Sequence, residues 1–181
     1  MRRTFLFSLA AATLLSVAGA ATAATKEDTL YIDLKDGRVV IEMRPDLAPK
    51  HVAQIKKLAR EGKYDGVVFH RVIDGFMAQT GDPEGTGSGG MGDLLKAEFN
   101  KELHARGTVS MARTSDPNSA RSQFFIVLKD SNFLDGQYTV WGRVTSGMEF
   151  VDKIKKGVGQ SGSVQSPADK MVKVQVAADV K

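Results

Sequence analysis

Phe69-His70-Arg71-Val72-Ile73-Asp74-Gly75-Phe76-Met77-Ala78-Gln79 sets an arginine five, six and eight residues ahead of a phenylalanine, a methionine and a glutamine. A half-buried strand alternates apolar and polar side chains. Here a planar, permanently charged donor and an amide lie in a segment apolar enough to be largely buried. Buried polar groups need partners. Arg71 and Gln79 must therefore face each other, a ligand, or both. A shallow apolar pocket with one or two aimed donors is the simplest site this stretch can build.

The 181 residues around it suffice for one domain with a sizeable core. The first 23 are expected to lie outside that domain. Met1-Arg2-Arg3 is basic, Phe5 to Ala18 is mostly apolar, and Ala21-Thr22-Ala23 offers a small-x-small cleavage site. This is the layout of a secretory signal peptide, with an apolar run too short to span a membrane comfortably. Cleavage is expected after Ala23, with Ala20 as the alternative, so residues 24–181 form the mature domain. The Arg2-Arg3 pair also resembles a twin-arginine signal, but the general secretory route is favoured. Losing those two arginines lowers the net charge from +4 to +2. That charge gives no warrant for nucleic-acid or anionic-membrane binding. The chain has no cysteine, which excludes thiol catalysis and cysteine-ligated zinc and leaves an exported domain to rely on its own core.

Thr29–Leu34 and Val39–Met43 read as strands of a hairpin turned by Lys35-Asp36-Gly37-Arg38. Pro49 suits the first turn of a helix. Val52, Ile55, Leu58 and Ala59 recur at helical spacing, and Gly62 supplies a stop. Short strands are expected around 67–73, 76–79, 96–99, 108–112, 123–128 and 138–144. A second helix is expected over 147–156, ending in the lysines 153, 155 and 156. Then come a glycine- and serine-containing loop over 157–169 and a last strand over 171–176. Many short strands with two helices favour a mainly β fold, a closed antiparallel barrel over a βαβ sheet.

Gly85, Gly87 and Gly90 match G-x-G-x-x-G, but no helix follows, so the dinucleotide reading fails and a surface loop with positive-φ positions is expected. His51, His70 and His104 have no metal-ligand spacing. His51 reads as an exposed helix residue, the other two as hydrogen-bonded structural histidines. No G-x-S-x-G elbow is present. Gly107 to Arg113 and Ser122 to Leu128 read alone as two core strands around a polar loop.

Taken together, the motifs point further. Phe69-His70-Arg71-Val72-Ile73-x-Gly75-Phe76-Met77-x-Gln79-x-Gly81-Asp82, Gly85-Thr86-Gly87, Ser110-Met111-Ala112, Ser122-Gln123-Phe124-Phe125-Ile126 and Leu134-Asp135-Gly136 occur in an order that resembles the cyclophilins. The resemblance covers roughly residues 29–177 and is strongest to periplasmic cyclophilins of Gram-negative bacteria. It implies an eight-stranded antiparallel barrel with two capping helices and peptidyl-prolyl cis–trans isomerase activity without metal or cofactor. It implies Arg71 as the catalytic arginine and Gln79 as the glutamine that holds it and the substrate. Phe76, Met77, Phe125 and Leu134 match the pocket for the proline ring. Ala112 and Gln123 match the adjoining groove, and Arg113 stands where many members have an asparagine whose backbone grips substrate. Phe133 stands where many eukaryotic members have tryptophan, and Tyr138 at or near a groove histidine. Without the indole N–H donor, cyclosporin binding is expected to be weak at most. The expected partners are proline-containing unfolded or flexible polypeptides met in the periplasm by a monomer with no stable membrane association. The rival expectation is a periplasmic chaperone that holds proline-containing segments without turning them over; a small-ligand barrel is weaker, because the interior strand positions look core-filling.

Overall fold

The computed structural model describes residues 24–181; the expected signal peptide, 1–23, lies outside the described residues. Eight strands, β1 (Thr29–Leu34), β2 (Gly37–Met43), β3 (Arg71–Ile73), β4 (Met77–Thr80), β5 (Thr108–Met111), β6 (Phe124–Val127), β7 (Val140–Ser146) and β8 (Lys173–Val176), form one sheet. The order is β3-β4-β6-β5-β7-β2-β1-β8, and every pairing is antiparallel. Helix α1 (Pro49–Arg60) and the short α2 (Met148–Asp152) cover it. The expected closed barrel is a slight overstatement. The sheet curls, but β3 and β8 share no ladder. The backbone on either side crosses the seam instead: Phe69 N–H donates to Asp169 C=O (2.8 Å) and Met171 N–H to Val67 C=O (2.9 Å).

The main core lies inside the curl, where Trp141 meets Phe124 edge-on at 5.4 Å and Phe124 meets Tyr64 at 5.8 Å. The Tyr64 hydroxyl donates to the Ser122 carbonyl at 3.0 Å, and burial pushes its pKa well up. A second, smaller cluster lies on the sheet's other face: Met77, Phe125, Val127 and Leu134, with Ile73, Phe76, Ala112 and Tyr138 packed against it. Strand geometry produces both. Side chains alternate between faces, so β6 sends Phe124 and Ile126 into the main core and Phe125 and Val127 outward. All four are buried, which is why Phe-Phe-Ile-Val is apolar throughout instead of alternating.

Three local expectations are corrected. Residues 96–99 form no strand: the amides of Ala97 and Glu98 donate to the side chains of Asn118 (3.0 Å) and Thr139 (3.0 Å), leaving no ladder to join. The second helix is only five residues long; Lys155 lies beyond it and donates to the carbonyls of Gln165 and Pro167. His51 is fully buried, not exposed.

The last correction explains how α1 begins. Ala48 at its N-cap has no side-chain acceptor. Glu98, far along the chain, supplies it, accepting from the backbone N–H of Lys50 (3.1 Å) and His51 (3.1 Å) and pairing with His51 Nδ1 at 2.7 Å. Burial raises the Glu98 pKa, but the His51 ring and the helix amides outweigh it and hold the carboxyl below its ordinary 4.5. A carboxylate at a helix N-terminus satisfies orphan donors and complements the dipole. Glu98→Gln should therefore cost about 1–2 kcal/mol of stability, measured by urea unfolding. Because the folded pKa is depressed, the Glu98 contribution is present above the unfolded value near 4.5 and is lost as pH falls through the folded value. The gap between wild type and Glu98→Gln should accordingly narrow as pH is lowered below about 4.5.

Candidate active site

The hairpin Arg71–Thr80 turns at Asp74-Gly75, where Gly75 takes φ +67° and the Phe76 N–H donates back to Ile73 C=O at 3.1 Å. This turn sets Arg71 directly opposite Gln79. The register continues Gln79 opposite Phe125 and Phe125 opposite Ser110. One row across β3, β4, β6 and β5 thus reads Arg71, Gln79, Phe125, Ser110, all on the outer face.

The polar half of the row is a relay. Arg71 Nη1 donates to Gln79 Oε1 at 3.2 Å, and Arg71 Nε donates to the Ser161 carbonyl at 3.0 Å. Gln79 Nε2 donates to Gln123 Oε1 at 2.9 Å, and Gln123 Nε2 donates to the carbonyls of Gly87 (3.0 Å) and Gly89 (2.8 Å). The loop bearing those carbonyls is wound around buried Asp82, which accepts from the amides of Glu84, Thr86, Gly87 and Gly89. Burial alone would raise the Asp82 pKa, but these amides and the Thr86 hydroxyl bring it below its ordinary value. The glycine-rich stretch is therefore built around an internal anion, with positive φ at Gly85 and Gly87.

The apolar half is the outer cluster. A cleft of about 500 Å³ is lined by the apolar or aromatic Phe76, Met77, Ala112, Phe125, Leu134 and Tyr138 and by the polar Arg71, Gln79 and Arg113. Met77, Phe125 and Leu134 are buried floor. Arg113 lies 4.6 Å over the Tyr138 ring and donates to the Gln137 carbonyl from Nε (3.1 Å) and Nη2 (2.9 Å). Gln123 lines an adjoining recess of about 450 Å³, which shares Gln79, Gly87, Ala112 and Arg113 with the first. Phe133 does not line the cleft; it is 65% exposed and packs against Phe76 at 5.3 Å, forming the rim.

Sequence reasoning missed five contributors. His70, Thr86, Gly87, Ser161 and Ser163 all line the cleft. His70 is buried, and among the described residues neither ring nitrogen has a hydrogen-bond partner, against the expectation of a bonded structural histidine. Burial pushes its pKa below 6.5, with Arg71 adding to the effect and Asp82 opposing it. The adjacency of His70 to Arg71 was the only available signal. His104 does meet its expectation: Nδ1 pairs with Asp135 at 2.9 Å, Nε2 with the Ser110 hydroxyl at 3.1 Å, and the ring stacks on Phe125 at 6.1 Å. The order Ser110, His104, Asp135 resembles a hydrolytic triad. Ser110 and His104 are fully buried beneath the cleft floor, so the trio supports Phe125 and reaches no substrate.

A cleft with anchored arginines beside an apolar floor, on the outside of a curled antiparallel sheet, matches known proteins. The family model described as "Cyclophilin type peptidyl-prolyl cis-trans isomerase/CLD" matches residues 29–176. The chain belongs to the cyclophilin family. It is 57% identical over 175 residues to a probable peptidyl-prolyl cis-trans isomerase of Brucella suis, covering 89% of this chain and 88% of the relative. It is 46% identical over 132 residues to peptidyl-prolyl cis-trans isomerase B of Bacillus subtilis, covering 71% and 92%. Among solved structures, cyclophilin AquaCyp293 from Hirschia baltica superposes with a TM-score of 0.76 at 30% identity, covering 87% of this chain and 77% of that one. A Cryptosporidium parvum cyclophilin crystallised in the presence of the dipeptide Ala-Pro gives 0.74 at 27% identity, covering 82% and 98%. The activity of this cyclophilin is peptidyl-prolyl cis–trans isomerisation.

The relay makes a prediction about Gln123. Gln123→Ala removes the support of Gln79 while leaving Arg71 and the apolar floor in place. It should lower kcat/KM about tenfold, the scale of one lost hydrogen bond in a preorganised site. A peptide isomerisation assay measures this, with the thermal unfolding midpoint as the control for folding.

Proposed function

We propose that this cyclophilin isomerises X–Pro bonds of exported polypeptides in the periplasm, with Arg71 stabilising the twisted amide and the Phe76, Met77, Phe125 and Leu134 pocket holding the proline ring. The supporting observation is how Arg71 is held. Its Nε and Nη1 are engaged by Ser161 and Gln79, and among the described residues Nη2 has no acceptor, so a directed donor remains at the cleft.

The chemistry suits this arrangement. Rotation about an X–Pro bond crosses a barrier of about 18–20 kcal/mol, maintained by amide resonance, and takes tens to hundreds of seconds unaided. No bond breaks, so no nucleophile or proton shuttle is required. The site must bind the twisted amide better than either planar isomer. On twisting, the proline nitrogen regains a lone pair. A guanidinium N–H can donate to that lone pair, an interaction the planar amide offers weakly or not at all. The apolar floor immobilises the ring while the preceding carbonyl turns. Lowering the barrier by about 7 kcal/mol accelerates the reaction roughly 10⁵-fold; a charge-assisted bond in a partly dry cleft plus immobilisation is adequate for that. Cyclosporin would bind weakly, because Phe133 offers no N–H donor at the rim.

Arg71→Ala should lower kcat/KM at least a hundredfold while keeping the fold, followed by proline-limited refolding of a model protein. Undiminished acceleration by the variant would defeat the assignment of Arg71. Wild-type protein that binds proline peptides without speeding their isomerisation would instead favour the holding chaperone.

Export is supported by the N-terminal sequence: a basic start at Arg2-Arg3, an apolar run over residues 5–18 and a small-x-small site at Ala21-Thr22-Ala23. Mass spectrometry of the periplasmic fraction should find a mature chain beginning at Ala24. A full-length cytosolic chain would overturn the localisation.

A further inference from the structure

Residues 157–163, legible in sequence only as a loop, form a small hairpin against the outer edge of β3. Val158 and Ser163 bridge, and Ser163 also bridges to Arg71. Gly157 N–H donates to Val72 C=O at 2.9 Å, and Val72 N–H donates to Gly162 C=O at 2.8 Å. The hairpin thus extends the sheet past its last strand. Its geometry depends on glycine. Gly162 is buried with φ +68°, and a Cβ there would strike Val72 C=O and the Ile73 side chain; a Cβ on Gly157 would strike the Gly162 carbonyl. Side chains are thereby excluded where the two backbones touch.

The tip of this hairpin carries the Ser161 carbonyl, which accepts from Arg71 Nε at 3.0 Å. A lone hydrogen bond to Gln79 would leave the guanidinium free to swing about that contact. A second acceptor, on a different nitrogen and from a different chain segment, fixes the plane. We infer that the 157–163 hairpin is a positioning element for catalysis: its Ser161 carbonyl fixes the guanidinium plane of Arg71, so that Nη2 meets the proline nitrogen as the amide twists. This rests on the assignment of Arg71 as the catalytic donor. Because the acceptor is a backbone carbonyl, its position is set by the hairpin backbone, and the glycines at 157 and 162 carry the function; the Ser161 hydroxyl adds only long contacts to Val158 C=O (3.5 Å) and Ser163 N–H (3.4 Å).

The experiment compares wild type, Gly162→Ala, Gly157→Ala and Arg71→Ala by isomerisation kinetics and by nitrogen-15 NMR of the arginine Nε–H signals. In wild type, the Arg71 Nε–H should exchange with solvent at least tenfold more slowly than an exposed arginine. In each glycine variant the protection should fall, with kcat down about tenfold and KM within twofold. A purely structural role for the hairpin would leave Nε–H protection and kcat unchanged in variants that fold. Two results overturn the inference: an unprotected Arg71 Nε–H in wild type, which needs no variant to fold, or full kcat in a glycine variant whose Ser161 and Gly162 amide shifts show the hairpin displaced. If Arg71→Ala is inactive while such a variant is fully active, only the hairpin's role fails. If Arg71→Ala is itself fully active, the assignment of Arg71 fails and the inference with it.

Discussion

The guanidinium of Arg71 has to stay charged beside an apolar cleft, and much of the outer face is arranged around that requirement. An arginine cannot shed its proton, so its donors must find acceptors wherever water is partly excluded. Gln79 meets it from the opposite position of the β3–β4 hairpin. Gln79 in turn depends on Gln123, and Gln123 on carbonyls of a loop organised by Asp82. The path from the buried Asp82 carboxylate to the Arg71 guanidinium runs through loop peptides and a series of hydrogen bonds, each of modest net worth. Its value is geometric: it fixes where the guanidinium sits at the cleft, and a donor held in place has little reorganisation left to do.

The apolar half follows from a different constraint. The outer sheet face would leave Met77, Phe125 and Val127 in water unless something covered them. Leu134, Phe76 and Tyr138 cover most of this surface, and the part left open is the cleft. The cleft is thus an incompletely covered second core. Its floor is stiffened from below by the His104 stack on Phe125, so it consists of packed side chains rather than a deformable surface.

Much of this was legible in the chain. That Arg71 and Gln79 must face each other, a ligand, or both followed from the need of buried polar groups for partners; the hairpin register of β3 and β4 then set them opposite one another. The fold class followed from the many short apolar runs, which nevertheless suggested a ninth strand at 96–99; the number eight and the residues assigned to the pocket came only from the ordered motifs that resemble cyclophilins. The errors have a common origin. Residues 96–99 look like a strand, but their amides are taken by Asn118 and Thr139. His51 looks exposed on an amphipathic helix, yet Glu98 draws it inward to cap α1. In each case a side chain more than twenty residues away satisfies a backbone or ring group that local propensity leaves unassigned.

By itself, the sequence determined that a mainly antiparallel domain would carry an arginine and a glutamine beside an apolar surface, each in need of a partner. Periodicity, turn chemistry and the need to pair buried polar groups all act over short spans. Tertiary structure alone decided that the sheet stays open at a seam, that Phe133 stands on the rim, and that the Ser161 carbonyl comes within 3.0 Å of Arg71 Nε across 90 residues. Those outcomes depend on where the curled sheet brings distant backbone groups together. A carbonyl carries no side-chain signature, so no residue type along the chain could have announced it.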